Sequence, residues 1–180
     1  MKGWLIAGLF LVAAGFPAAV HSADAEKERA EIRTMARETL ERLYKVQPSA
    51  ERAIEAAAGY AVFSNFGTKI LFVGGGTGKG IAVNRKTGKE TFMKMVEVQA
   101  GLGLGVKKFQ VVFLFETERA LEAFQEQGWE FGGQATAAAK YKEEGGSLEG
   151  AASVSPGIWM YQLTDAGLAA EITGKGTKYY

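Results

Sequence analysis

The side chains that carry most enzyme chemistry are scarce in this sequence. It has no cysteine and a single histidine, His21. Thiolate nucleophiles, disulfides, Fe–S clusters and Cys-ligated zinc are therefore excluded. A Ser-His-Asp or Cys-His relay, or a His-ligated metal, would have to use His21, which sits at the end of an apolar leader. Aspartate occurs only at positions 24 and 165. A carboxylate such as Glu90 or Glu97 is all that is left for acid–base work, with no His, Cys or Asp cluster beside it. No catalytic residue, metal site or cofactor is expected, and the chain reads as a binding or structural protein.

The charged residues are distributed in a way that points to binding. The formal net charge is +1, yet Ala56–Phe115 holds eight basic residues against two acidic ones, while Glu116–Glu171 holds three against ten. A face that gathered the basic half would attract anions and anionic membrane surfaces. Arg85, Lys86 and Lys89 fall on and beside a turn, Lys107 and Lys108 at a second strand junction, and Lys79 in a glycine-rich stretch. Turns project outward, so these six are the candidate contacts for an anionic phospholipid. The competing reading is ordinary solvated lysines around a sheet. Nucleic acid is a poor partner: the net charge is near zero and no arginine–aromatic stacking motif occurs.

The glycine-rich stretch Val73-Gly74-Gly75-Gly76-Thr77-Gly78-Lys79-Gly80 lacks the spacing of a phosphate loop. A Walker loop needs glycine where Val73 stands and Ser or Thr where Gly80 stands, and there is no Gly-x-Gly-x-x-Gly. The simplest reading is a flexible turn between two strands, or else a mobile loop at a ligand site. In a second stretch Gly101, Gly103 and Gly105 alternate with Leu102, Leu104 and Val106. At period two this gives one bare and one apolar sheet face, open to close approach by another element.

These residues must be positioned by a core, and the composition provides one: 180 residues, 47% hydrophobic and 23% charged. A 3.6-residue stripe of Ile32, Met35, Ala36, Thr39, Leu40, Leu43 and Val46 predicts a helix over Ala25–Val46, with Glu38/Arg42 and Glu41/Lys45 as i,i+4 pairs. Pro48 ends it, Ser49 caps a short helix over Ala50–Ala58, and Gly59 stops that one. Strands are expected at Tyr60–Asn65, Lys69–Gly75, Gly80–Arg85, Glu90–Leu104 and Lys107–Phe115, with a hairpin turn at Lys86–Lys89. Thr117 caps a helix over Glu118–Gln127, its buried stripe Ala120, Leu121 and Phe124. Further strands are expected at Glu130–Tyr141, Ser147–Ser153, Ile158–Leu163 and Leu168–Thr173. The fold class is α+β: two N-terminal helices, then a mostly antiparallel, barrel-like sheet with one inserted helix. Phe63, Phe66, Phe72, Phe92, Phe109, Phe113 and Phe115 are assigned to the core, and Trp129, Trp159, Tyr161 and Tyr179-Tyr180 to an interface.

Met1–Ala23 has the form of a secretory signal: Lys2, an uncharged run from Trp4 to Phe16, Pro17, then small residues. Cleavage is expected after Ala23 or Ala25, and an uncleaved anchor is the alternative. The expected product is one exported domain over 24–180, periplasmic or secreted, helical over about 26–58 and β-rich over about 60–178.

Four blocks in order resemble the SYLF family. Ala58–Gly67 is similar to its "A-x-G-x-A-V-F-P" opening and Val73–Gly80 to its "GG-x-x-G-x-G" segment. Val98–Gly105 is similar to "G-x-S-x-G-x-Q-x-G", and Val111–Phe115 with Glu118–Phe124 to its hydrophobic strand and "E-x-A-L-x-x-F" helix. The likeness runs from about Ala30 to Thr173. Ser64 stands where the family has proline, and Leu104 or Val106 where it has glutamine. The resemblance implies a lipid-binding domain and no catalytic residue. Lipid binding follows from the whole domain rather than from one matched residue. Eukaryotic members also regulate actin, which is not expected of an exported chain. A protein-interaction or envelope-structural module without a lipid ligand is the alternative.

Overall fold

The computed structural model describes residues 18–70, 73–100, 105–131, 148–169 and 176–180. Helix α1 (Ala18–Val46) starts earlier than its apolar stripe predicts. It buries Ile32, Ala36, Thr39 and Leu43, while Val46 at the end of the stripe is 43% exposed. The Thr39 hydroxyl, in the middle of the buried stripe, donates to the Met35 carbonyl at 2.8 Å. Arg42 does not pair with Glu38; its guanidinium turns to the sheet and donates to Gln110 Oε1 at 3.2 Å and to the Thr164 carbonyl. Helix α2 (Ser49–Ala56) follows, with Ser49 as its first residue rather than its cap. The Ser49 hydroxyl instead accepts from Gln47 Nε2 at 2.6 Å.

The sheet is built from β1 (Gly59–Ile70), β2 (Val73–Asn84), β3 (Glu90–Ala100), β4 (Gly105–Phe115), β5 (Trp129–Phe131), β6 (Ala152–Ser155), β7 (Ile158–Thr164), β8 (Gly167–Leu168) and β9 (Thr177–Tyr179). The strand order is β5-β9-β3-β2-β1-β4-β7-β6, with β8 beside β7 and every pairing antiparallel. This is the expected α+β class with a curled, half-barrel sheet. Helix α3 (Glu118–Gln127) is inserted after β4, and Thr117 Oγ1 accepts from Ala120 N at 3.2 Å as an N-cap.

Strand alternation divides the core in two. Ala61, Phe63, Ala82, Met95, Val111, Phe113 and Phe115 pack with Leu121 and Phe124 of α3 on the inner face. Val62, Ile81, Val112, Leu114, Tyr161 and Leu163 point the other way, against α1 and α2. The α1 and α2 side is here called the outer face. Gly59 opens β1 rather than ending a helix.

The glycine-rich stretch is not a turn. Residues 73–84 form one strand, paired with β1 on one side and β3 on the other. The alternation that suggested a bare face at Gly101–Gly105 operates here. A Cβ on Gly80 would lie 2.3 Å from Phe63 Cδ1, and one on Gly78 2.5 Å from Met95 Cγ. Large inner-face side chains lie over bare backbone, so glycine is required there by close packing. The stretch Gly101–Leu104 lies outside the described residues, as do Phe72, the Trp4–Phe16 run, and most of the expected 130–141 strand.

Tyr179 and Tyr161 are core residues, not interface residues. β9 lies between β5 and β3, which carries Tyr179, 2% exposed, into the aromatic cluster. Its ring lies 4.7 Å from that of Phe63 and 5.0 Å from that of Phe113. Desolvation in that setting pushes its phenol far above the ordinary tyrosine range, so it stays neutral. Tyr180, one step on, is 56% exposed.

Candidate functional site

The β2–β3 turn is set by Asn84, whose Oδ1 accepts from the Lys86 and Thr87 amides at 3.0 and 2.9 Å. Gly88, with φ +69°, closes it by donating to the Asn84 carbonyl at 2.8 Å. Of its three predicted contacts only one is unengaged. Arg85 donates to the Ile54 carbonyl at 2.9 Å and to that of Glu55, so it satisfies the C-terminal carbonyls of α2. Lys86 pairs with Glu118 of α3 at 3.4 Å. Lys89 is exposed and, among the described residues, has no carboxylate within 4.0 Å.

Lys107 and Lys108 lie within β4, opposite Gly67 and Phe66 of β1, rather than at a turn. The hairpin is at the Gly59 end of β1. Eight strand positions separate the two groups, ~26 Å at 3.3 Å per residue. Their side chains lie outside the described residues. Lys79 is six positions back along β2 from Arg85, ~20 Å away by the same rise. The structure therefore does not bring the six predicted residues into one patch.

A different grouping forms on the outer face. Lys79 of β2 and Lys94 of β3 are directly opposite in register, and both are exposed. Like charges facing each other across a ladder are destabilising. Glu28 of α1 offsets this by pairing with Lys79. The hydrogen bond from Lys79, and then its charge, holds the Glu28 carboxyl below the usual carboxylate range, with Lys94 adding to the effect. Next on the sheet, Lys178 of β9 is exposed opposite Val96, and Tyr180 exchanges backbone hydrogen bonds with Lys94 at 2.7 and 2.9 Å. Lys94 and Lys178 were not singled out from sequence, and Tyr180 only as an interface aromatic. The period-two pattern placing Lys79 and Lys94 on one face was readable, but their register was not.

A groove of about 490 Å³ runs between α1 and this face, lined among others by Glu28, Ile32, Met35, Thr77, Lys79 and Lys94. A smaller one, about 320 Å³, is bridged by Arg42 and includes Gln110 and Asp165. Neither is lined by Glu90 or Glu97. Glu90 accepts from Arg33 Nε at 2.8 Å, and Glu97 is 2% exposed and accepts from Asn65 Nδ2. Among the described residues no three His, Cys, Asp or Glu side chains are placed to hold a metal, and no helix is long and apolar enough to cross a membrane.

The family model described as "Ysc84: Las17-binding protein actin regulator" matches residues 96–180. "Beta cell expansion factor A" of Aeromonas veronii is 39% identical over 156 residues, 87% of this chain. Over residues 96–180 the chain is therefore similar to the Ysc84, or SYLF, family. It spans 58% of the length of that Aeromonas relative. Neither of these names is that of an enzyme. The match over 96–180 includes Lys178 and Tyr180, while Lys79, Lys94 and the hairpin lie before it.

Proposed function

We propose that this chain is a SYLF-like, exported, non-catalytic module that binds anionic phospholipid at a membrane surface. The observation that carries this reading is the pair Lys79 and Lys94, face to face on an exposed part of the sheet. Folding alone gains nothing from that pairing, whereas a phosphate-bearing surface does. Lys178 flanks it, Lys89 and Lys86 lie five and seven strand positions away at the hairpin, and each basic residue near an anionic bilayer contributes about 1 kcal/mol. Lys108 and Lys107 belong to the proposal as a second contact, opposite Phe66 and Gly67 of β1, two and three positions from the Ser64 that pairs with Lys79.

The test is co-sedimentation with vesicles of phosphatidylglycerol and phosphatidylcholine, against phosphatidylcholine alone. Binding should need the anionic lipid and weaken as salt rises. Equal binding to both vesicle types would overturn the electrostatic reading. The family description favours a second reading, a protein-docking module. Absence of vesicle binding, with a purified protein partner captured, would support that reading instead. Actin is not proposed as the partner of an exported chain.

A further inference from the structure

The groove under α1 exists because two apolar patterns stop at different places. On α1 the buried stripe runs from Leu43 back through Ala36 to Ile32, with Met35 half-buried beside it. On the outer face the matching pattern ends sooner. Val62 gives way to Ser64 on β1, Ile81 to Lys79 and Thr77 on β2, and Phe92 to Lys94 on β3. Ile32 and Met35 therefore line a space whose opposite wall carries Ser64, Thr77 and two lysines. Glu28 holds Lys79, while among the described residues Lys94 has no carboxylate within 4.0 Å.

Glu28 and Glu31 both line the groove, and of the two only Glu28 is paired with a lysine there, among the described residues; an apolar wall, a cationic mouth and a carboxylate displaceable from Lys79 match a particular ligand class. We propose that the groove takes the chain of a single-chain anionic amphiphile, its headgroup on Lys94 and competing with Glu28 for Lys79. The volume, about 490 Å³, lies within the ordinary range of small-molecule sites, about 300–1,000 Å³. The proposal deepens the lipid reading and rests on it for the ligand class. It differs in placing a chain inside the protein rather than only headgroups on its surface.

The probe is monomeric dodecyl phosphate, measured by calorimetry on the full chain. Inorganic phosphate and dodecyl maltoside are the headgroup-only and chain-only controls. Dodecyl phosphate should bind at least about tenfold tighter than either control, because the two contributions act on one ligand. Met35→Trp, which fills the groove, should weaken dodecyl phosphate by about tenfold or more, with vesicle co-sedimentation unchanged. Glu28→Gln, a surface change that leaves the core intact, should tighten it several-fold by freeing Lys79. Unchanged dodecyl phosphate affinity in both variants would overturn the groove site while leaving surface binding standing. Binding of the probe without any vesicle binding would support the groove and overturn the surface reading. Inorganic phosphate binding as tightly as dodecyl phosphate would reduce the site to its lysines and overturn the chain subsite.

Discussion

Replacing Gly80 with alanine puts a methyl group where the structure has none to spare. The new Cβ would fall 2.3 Å from Phe63 Cδ1 and 2.3 Å from the Val62 carbonyl oxygen. Neither neighbour can yield cheaply. The Phe63 ring is fully buried and sits edge-on to Phe113, Phe124 and Tyr179, with centroids 6.3, 6.1 and 4.7 Å away. The Val62 oxygen belongs to the β1–β2 ladder. Overpacking of this kind costs about 1–3 kcal/mol, and backbone involvement puts Gly80→Ala at the upper end. At about 2–4 °C per kcal/mol for a domain of this size, the melting temperature should fall by about 6–12 °C. Gly75→Ala is the internal control, because its Cβ would meet only the Glu97 carbonyl, at 3.5 Å. That substitution should be neutral or stabilise by up to about 1 kcal/mol through the unfolded chain. Calorimetry and urea unfolding would measure both. If Gly80→Ala melts with the parent or above it, residues 73–84 are not packed as a central strand, and the argument from close approach fails.

Leu43 is fully buried between α1 and the outer face, so Leu43→Ala should cost about 2–4 kcal/mol in urea unfolding; a loss under about 0.5 would mean α1 is detached. The Glu28 carboxyl is depressed by Lys79, so the pair contributes above the unfolded-state pKa and is lost as pH falls through the lower folded value. NMR titration should place Glu28 below a free glutamate, and Lys79→Met should move its midpoint back up; no movement would contradict the pairing. Export predicts a native N-terminus at Asp24 or Glu26 by mass spectrometry, and an intact Met1 in the membrane fraction would favour an anchor instead.

Local signals and non-local ones differ in what they reveal here. The α1 stripe, the Thr117 cap, the turn at Lys86–Lys89 and the strand character around Tyr60–Asn65, Glu90–Ala100 and Lys107–Phe115 follow from periodicity and turn chemistry within a few residues of each other; the expected strand Lys69–Gly75 is instead divided between the end of β1 and the start of β2. The glycines of β2 were misread because Gly signals a turn as readily as a close approach. What distinguishes the two is Phe63 and Met95 on neighbouring strands, and that requires the register. Tyr179 failed for a similar reason: a C-terminal aromatic has no local sign of burial, and only the placement of β9 between β5 and β3 buries it. Of the candidate site, the residue types were legible and their grouping was not. Arg85 looked like a turn cation because nothing in sequence announces that α2 ends beside it. Lys94 was passed over because its partner, Lys79, lies across a strand pair whose alignment depends on the full length of both.

The central claim is that the lysines of the outer face meet anionic lipid. It is tested most directly by reversing Lys79 and Lys94 together to glutamate and measuring binding to phosphatidylglycerol-containing vesicles at low salt. Two reversals near the surface remove about 2 kcal/mol of attraction and add repulsion, so affinity should fall by well over tenfold. The parallel reversal of Lys86 and Lys89 should have a smaller effect, because they lie at the hairpin, five or more strand positions from the Lys79–Lys94 pair, ~17 Å or more at 3.3 Å per residue. Undiminished vesicle binding by the Lys79→Glu/Lys94→Glu protein, folded as judged by an unchanged melting curve, would contradict the account.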